Sequence, residues 1–206
     1  MKHIVKTVIF TAVIALAAYS VPAAYAMPEI GKAAPDFEGV NVLDGSNFKL
    51  SDHKGQVVVL EWTNHECPFV HKHYDSGNMQ ATQAKAAELG ALWVSIVSSC
   101  EGKQGFVSAE EAKKIVEEQG AHPAVKLLDP KGDIGHLYDA KTTPDMYIID
   151  AQGNLAYSGA LDNAPTPDPA SVKDAENYVL EALNELHEGK SVSVPLTQPY
   201  GCGIKY

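Results

Sequence analysis

Apolar strand-like runs alternate with helical segments, and this is the feature that most constrains the fold of the sequence. The runs "QVVVLEW" (56–62) and "ALWVSIV" (91–97) are continuous and apolar, with several β-branched residues, which is typical of strands covered on both faces. A helical stretch follows Pro68, and Ser108 with Glu111 forms a capping box for another helix. Such alternation predicts an α/β protein with parallel strands and helices on both faces of the sheet.

The second half of the chain adds antiparallel strands. "AVKLLD" (124–129) predicts a short strand, and "DMYIIDAQGNLAYSGAL" (145–161) predicts two strands joined by a tight turn. A final helix is expected to begin at Ser171 and to end before Gly189. The central sheet is therefore predicted to be mixed, with the last two strands antiparallel.

The first 26 residues have the pattern of a secretory signal peptide. Lys2 and Lys6 precede and border an apolar run, and the small-residue site Ala24-Tyr25-Ala26 follows it. We expect cleavage after Ala26, which predicts a periplasmic or secreted protein. The remaining residues, 27–206, are long enough for one domain, and we refer to residues 190–206 as the tail.

The charge of the chain limits its partners. The formal net charge is −10 at pH 7, and all 16 basic residues are lysines, so the sequence contains no arginine. An acidic surface disfavours nucleic acid and anionic membranes as partners. No segment after the signal peptide is apolar and long enough to span a membrane, and no cofactor is expected.

Three cysteines, Cys67, Cys100 and Cys202, follow the signal peptide. In an oxidising compartment an odd number leaves at least one thiol outside any intramolecular pair, which favours redox chemistry over a purely structural disulfide. Cys67 lies just past the strand "QVVVLEW" and directly before Pro68, which suits the first helical position. A helix N-terminus stabilises a thiolate, so Cys67 is predicted to be the most reactive thiol and the one alkylated fastest.

Three segments of the chain resemble the thioredoxin-like superfamily, and most closely its redoxin or peroxiredoxin-like (AhpC/TSA-type) branch. They are "VVVLEWTNHECPFV", "TTPDMYIIDAQGNLAYSGALD" and "PYGCGIKY", in the order and spacing typical of that branch. The resemblance extends from "GKAAPDF" to Tyr206. It implies a thioredoxin-like fold and a thiol-dependent oxidoreductase or antioxidant protein, which the signal-peptide pattern places outside the cytoplasm.

The resemblance also implies roles for individual residues. Cys67 corresponds to the first cysteine of the C-x-x-C motif and would be the nucleophile, whereas Val70 occupies the second position. Thr143 and Pro144 correspond to the cis-proline segment that faces the active-site sulfur and positions the substrate. Glu61 corresponds to the buried acid that moves protons; the alternative for Glu61 is a solvent-facing residue on an edge strand.

The sequence also departs from the peroxiredoxin pattern. In the motif P-x-x-x-T-x-x-C, Leu60 replaces the proline and Asn64 replaces the threonine, and the arginine that holds the peroxide has no counterpart. Disulfide exchange is therefore expected in preference to fast peroxide reduction. The expected partners are a protein or small-molecule disulfide or thiol, with a peroxide as the alternative oxidant.

Val70 cannot resolve Cys67, so after attack Cys67 would remain a mixed disulfide or a sulfenic acid unless another thiol reached it. We favour Cys202, since it lies between glycines in the tail and the resemblance makes "PYGC" a family feature. Cys100 is the alternative, because it follows a strand expected to run parallel to "QVVVLEW". A purely structural bridge or a free thiol at Cys202 also remains open.

A metal site is the alternative from a different functional class. His65, His71 and His73 surround Cys67, and imidazole and thiolate groups suit copper, as in exported copper chaperones of thioredoxin-like fold. Against this, no second cysteine is nearby, and His71 and His73 would point to different faces of a helix. No metal ligand is therefore assigned.

Overall fold

A computed structural model describes residues 28–206. The predicted signal peptide, residues 1–26, lies outside the described residues. The strands are β1 Glu38–Val40, β2 Asn47–Lys49, β3 Val58–Trp62, β4 Leu92–Val97, β5 Val125–Leu128, β6 Thr142–Thr143, β7 Asp145–Ile149, β8 Leu155–Gly159 and β9 Cys202–Gly203. The α-helices are α1 Pro68–Asp75, α2 Asn78–Glu88, α3 Ala109–Glu118, α4 Asp133–Tyr138 and α5 Tyr178–His187. None of the helices in this part of the chain is both long and apolar enough to cross a membrane.

Five strands form the central sheet in the order β5-β4-β3-β7-β8. Strands β3, β4 and β5 are parallel, whereas β7 and β8 are antiparallel to their neighbours. All five residues of β3 are buried because this strand lies at the centre and is covered on both faces. The predicted mixed sheet is confirmed.

Alternate residues of β3 point into two different hydrophobic clusters. Leu60 and Trp62 pack with residues of the β1–β2 hairpin and of α4, including Phe48 and Tyr138. Val59 packs on the other face with residues of α1, α2 and α5. Helices therefore cover both faces of the sheet, as predicted for a thioredoxin-like α/β fold.

The last helix was predicted too long. Helix α5 begins at Tyr178 rather than Ser171, and a separate 3-10 helix occupies Pro169–Asp174. Ala175 is extended, and the Asn177 side chain accepts a hydrogen bond from a backbone N–H in the first turn of α5. This cap provides a helix start that the apolar periodicity did not reveal.

The tail follows the free edge of the sheet before it reaches Cys67. The Ser158 N–H donates to the Pro195 carbonyl at 3.0 Å, and the Thr197 N–H donates back to the Ser158 carbonyl at 3.1 Å. Beyond this point β9 pairs antiparallel with β6. Neither this pairing nor α4 was predicted, because the pairing joins distant parts of the chain and α4, with six residues, is too short for a clear apolar periodicity.

Candidate active site

Cys67 occupies the N-cap position of α1. Its backbone is extended, Pro68 is the first helical residue, and the N–H groups of Val70 and His71 donate to its carbonyl oxygen. The placement predicted from the Cys-Pro sequence is confirmed. The Cys67 side chain is completely buried, which the sequence did not indicate.

The tail brings Cys202 directly to Cys67. The two sulfur atoms lie 2.7 Å apart, and the two cysteines are not joined by a disulfide bond. Strand pairing accounts for the proximity, since Cys202 is opposite Thr143 in the β6–β9 ladder. Gly201 has a positive φ of 148°, and a Cβ at this position would overlap the Thr143 carbonyl oxygen, so the tail needs glycine to approach this closely.

Thr143 and Pro144 face the same sulfur. The peptide bond between them is cis, and the Cys67 Sγ lies 3.1 Å from the Thr143 carbonyl oxygen. The protonated Cys67 thiol can donate to this oxygen. Because β9 already occupies the edge of β6, an extended peptide could pair with Thr143 only after the tail leaves.

The two thiols differ in acidity. Burial raises the pKa of Cys67, but hydrogen bonds from Cys202 and from the Thr143 side chain outweigh burial and leave the pKa below its ordinary value. Burial and the neighbouring Cys67 raise the pKa of Cys202 to about 11. Cys67 is therefore the more acidic thiol of the pair, and once deprotonated it would accept a hydrogen bond from the Cys202 thiol.

Cys100 is attached to the tail through its backbone. Its N–H donates to the Lys205 carbonyl at 2.8 Å, and the residue is partly exposed. The structure thus brings Cys202, rather than Cys100, into sulfur contact with Cys67.

Glu61 is fully buried on the central strand β3, so the alternative of a solvent-facing edge residue is wrong. Its carboxylate accepts hydrogen bonds from Tyr74 Oη at 2.8 Å, Trp93 Nε1 at 2.8 Å and Ser95 Oγ at 2.7 Å. We call these four residues the Glu61 cluster. Both carboxylate oxygens are occupied by groups of the core, and among the described residues neither cysteine hydrogen-bonds to them.

A second buried carboxylate, Asp162, was missed by the sequence analysis. Lys72 on α1 forms an ion pair with Asp162 at 3.1 Å, and Tyr200 of the tail donates its hydroxyl proton to the same carboxylate. The Lys72 ammonium also donates to the Tyr200 hydroxyl at 2.9 Å. We call Lys72, His73, Asp162 and Tyr200 the Asp162 cluster. No local pattern predicts it, because Asp162 and Tyr200 are 90 and 128 residues away from Lys72 in the sequence.

The histidines near Cys67 do not converge on one point. His73 is buried, and its Nδ1 lies 2.9 Å from the Asn78 side-chain nitrogen. His71 is on the surface and pairs with Asp75. Within residues 28–206, no group of three or more His, Cys, Asp and Glu residues is arranged to hold a metal ion. The geometry therefore does not favour the metal-binding alternative.

The family of the chain follows from its match to a family model. Residues 30–158 match the model of the AhpC/TSA family. The chain belongs to the AhpC/TSA family. Membership in the AhpC/TSA family, together with the thioredoxin-like fold, makes the protein a thiol-dependent oxidoreductase, as the resemblance implied.

Several solved structures are similar to this AhpC/TSA family member. An uncharacterized protein from Geobacillus kaustophilus is 30% identical with a TM-score of 0.71, and the match covers 87% of this chain and 93% of that one. A hypothetical protein from Sinorhizobium meliloti is 24% identical with a TM-score of 0.74, covering 86% and 94%. A candidate thiol:disulfide interchange protein DsbE from Chlorobium tepidum is 27% identical with a TM-score of 0.51, covering 64% and 84%. No curated protein matches the chain significantly.

Proposed function

We propose that the protein is an exported thiol-disulfide oxidoreductase in which Cys67 is the nucleophile and Cys202 resolves it. The observation that carries the proposal is the 2.7 Å contact between the two sulfur atoms at the N-terminus of α1. The lowered pKa of Cys67 and the raised pKa of Cys202 support this division of roles. A group with the lower pKa supplies the thiolate that attacks first.

The proposed reaction proceeds in two exchanges. The Cys67 thiolate attacks one sulfur of a substrate disulfide, and the substrate S–S bond breaks and releases one thiolate. Cys202 then loses its proton and attacks the Cys67 sulfur, so that a Cys67–Cys202 disulfide forms and the second substrate thiol leaves. The two cysteines lose two electrons to the substrate. An external dithiol, or two monothiols, returns the pair to the reduced form.

We favour a disulfide over a peroxide as the substrate. Asn64 occupies the position of the peroxiredoxin threonine, but its side chain accepts from the Glu66 N–H at 2.9 Å and donates to the Gln104 carbonyl at 3.4 Å. These two hydrogen bonds stabilise the turn before Cys67, so the Asn64 side chain is not free to bind a peroxide at the Cys67 sulfur. The sequence also has no arginine to bind the peroxide. The likeness to a candidate thiol:disulfide interchange protein supports exchange as well.

Thr143 and Pro144 position the partner of Cys67 in this proposal. In the reduced form that partner is the Cys202 segment, and a protein substrate would displace it. For Glu61 we replace the proton-transfer role with a structural one, since its oxygens accept three hydrogen bonds within the core.

Export to the periplasm or beyond rests on the signal-peptide pattern of residues 1–26. Sequencing the N-terminus of the protein from fractionated cells tests it, with Met27 as the expected first residue.

Peptide mapping tests the chemistry. The mature protein is reduced, exposed to oxidised glutathione, quenched with acid and analysed under non-reducing conditions. We expect a Cys67–Cys202 disulfide with Cys100 free. The Cys202→Ser variant is expected to accumulate a Cys67–glutathione mixed disulfide, whereas the matched Cys100→Ser variant behaves like wild type.

Three outcomes would change the proposal. A Cys67–Cys100 bridge would move the resolving role to Cys100. Absence of any bridge to Cys67, combined with normal turnover by Cys202→Ser, would reject the two-cysteine mechanism. A fast stoichiometric burst of hydrogen peroxide consumption would place peroxide ahead of disulfides as the substrate.

A further inference from the structure

The segment that carries Cys202 is attached to the domain on both sides of the cysteine. Before Cys202, Tyr200 of the tail contacts the other members of the Asp162 cluster through hydrogen bonds to Lys72 and Asp162. After Cys202, the tail ends in a socket that receives Tyr206. Neither tyrosine has a role in the proposed exchange chemistry.

Tyr200 forms the first attachment. Its hydroxyl donates to Asp162 and accepts from Lys72, and the Lys72 ammonium lies 5.1 Å from the centroid of the Tyr200 ring. The ring also packs edge-on against Phe69, with centroids 5.8 Å apart. Both charged side chains are almost completely buried, so the contact is made with an ion pair that water does not screen. Burial and the adjacent Asp162 raise the pKa of Tyr200, which keeps its hydroxyl protonated and able to donate.

Tyr206 forms the second attachment. Its ring stacks on His136 with centroids 4.0 Å apart, and its hydroxyl donates to the Ala140 carbonyl at 2.9 Å. Gly132 and Gly135 complete the socket, because a Cβ at either position would overlap the Tyr206 ring. The surface at Gly132 and Gly135 is therefore fitted closely to one side of the Tyr206 ring, although the residue is still 37% exposed.

Backbone hydrogen bonds connect the socket to Cys202. The Ile204 N–H donates to the Lys141 carbonyl at 3.0 Å, and the Lys205 carbonyl accepts from the Cys100 N–H at 2.8 Å. Cys202 is thus held in a short segment whose two ends are both fixed. Fixing both ends removes most of the conformations in which the thiol would be far from Cys67, which raises its effective concentration.

We propose that Tyr200 and Tyr206 are positioning residues that hold the Cys202 thiol at Cys67. This inference rests on the proposed function, because it concerns the step in which Cys202 displaces the substrate from Cys67. Both tyrosines act through the tail and touch neither sulfur. Their loss leaves the chemistry of the thiols in place and lowers the frequency with which Cys202 meets the mixed disulfide.

The test measures the effective concentration of the two thiols. Reduced protein is equilibrated with glutathione and glutathione disulfide in known ratios, quenched with acid, and the Cys67–Cys202 and Cys67–glutathione forms are quantified by mass spectrometry. We expect the effective concentration to fall about fivefold in Tyr200→Phe, which loses only the hydroxyl. We expect a fall of about tenfold in Tyr206→Ala, with accumulation of the Cys67–glutathione form.

Two further variants separate positioning from general loss of structure. Tyr206→Phe keeps the ring in the socket and is expected to recover most of the tenfold loss. Leu196→Ala changes an exposed tail residue outside both attachments and is expected to match wild type. Denaturant unfolding of each reduced variant identifies any change that comes from an unfolded domain.

The outcomes distinguish this inference from the proposed function. If wild type forms no Cys67–Cys202 bridge in any buffer, the proposed function fails. If wild type forms the bridge, but Tyr200→Phe and Tyr206→Ala have the same effective concentration as Leu196→Ala, the positioning role is wrong and the proposed function stands.

Discussion

The Glu61 and Asp162 clusters both bury a carboxylate, but they depend on different parts of the chain. Glu61 accepts hydrogen bonds from Tyr74, Trp93 and Ser95, which belong to α1 and β4. Asp162 depends on Lys72 of α1 and on Tyr200 of the tail. One cluster is internal to the core, whereas the other joins the core to a segment that must move if a large substrate is to reach Cys67.

The two buried carboxylates also differ in how completely their oxygens are hydrogen-bonded. The Glu61 oxygens accept three hydrogen bonds at 2.7–2.8 Å. In Asp162, Oδ1 accepts hydrogen bonds from the Lys72 ammonium, the Ala164 N–H and the Tyr200 hydroxyl, whereas Oδ2 has no hydrogen-bond partner and lies 3.1 Å from the Lys72 ammonium. A fully satisfied cluster contributes to global stability, and a partly satisfied one leaves room for exchange. We therefore expect the Glu61 cluster to control unfolding and the Asp162 cluster to control access to the cysteines.

The largest effect is expected from removing the Glu61 carboxylate. Glu61→Leu leaves the Trp93 N–H and two hydroxyl groups buried without their acceptor, so the free energy of unfolding should fall by about 4 kcal/mol. Urea unfolding of the reduced protein measures this loss. Glu88→Gln, which alters an exposed ion pair, serves as the control and should cost less than about 1 kcal/mol. Equal losses in the two variants would contradict an internal role for Glu61.

The next effect is a loss of stability in acid caused by His73. Burial lowers the pKa of His73 from 6.5 to about 4, although Asp162 opposes this and Lys72 adds to it. Between these two values the unfolded chain binds the proton and the folded chain does not, so stability is lost as the pH falls. The loss from this residue should be about 3 kcal/mol between pH 7 and pH 4.

The matched variant His73→Gln removes this titration. Its unfolding free energy should therefore change less than that of wild type over the same pH range, and the difference between the two curves isolates His73 from the carboxylates. Parallel curves would show that the pKa of His73 is the same in the folded and unfolded protein, which would contradict the prediction. Of the other polar neighbours of His73, the Asn78 amide does not titrate and Tyr200 stays protonated throughout this range.

A smaller effect concerns the order of thiol labelling. Cys67 is completely buried beneath the tail, whereas Cys100 is partly exposed. In reduced, folded protein we expect N-ethylmaleimide to label Cys100 at least about tenfold faster than Cys67, a difference of about 1.4 kcal/mol. This reverses the order expected from the low thiol pKa alone, because alkylation requires contact. Tyr206→Ala should accelerate labelling of Cys67 and leave Cys100 little changed; faster labelling of Cys67 in wild type would show that the tail does not cover it.

The smallest effect is expected for the global stability of Tyr200→Phe. The variant loses one hydroxyl between Lys72 and Asp162, and the ion pair remains, so the free energy of unfolding should fall by only about 1 kcal/mol. Urea unfolding of Tyr200→Phe and Glu61→Leu under the same conditions compares the two losses of unfolding free energy. A loss as large as that of Glu61→Leu would mean that the tail is an integral part of the core.

Local sequence patterns predicted most of the secondary structure. The β-branched runs became β3 and β4, and the capping box of Ser108 and Glu111 starts α3 as expected. The Cys-Pro pair defined the start of α1. These features depend on residues a few positions apart, so propensity and capping determine them. The start of α5 was placed wrongly because apolar periodicity continued across a 3-10 helix.

The sequence by itself determined the α/β architecture, the helix-start position of Cys67 and the burial of β3, because hydrophobic spacing and capping are local. The resemblance to a known family added the cis-proline segment and the favoured partner, Cys202. Only the tertiary structure decided that Cys67 is fully covered and that Lys72, Asp162 and Tyr200 meet. Lys72 is 90 residues from Asp162 and 128 from Tyr200, and Cys67 is 135 residues from Cys202. Contacts over such separations depend on the path of the whole chain, which no local pattern records.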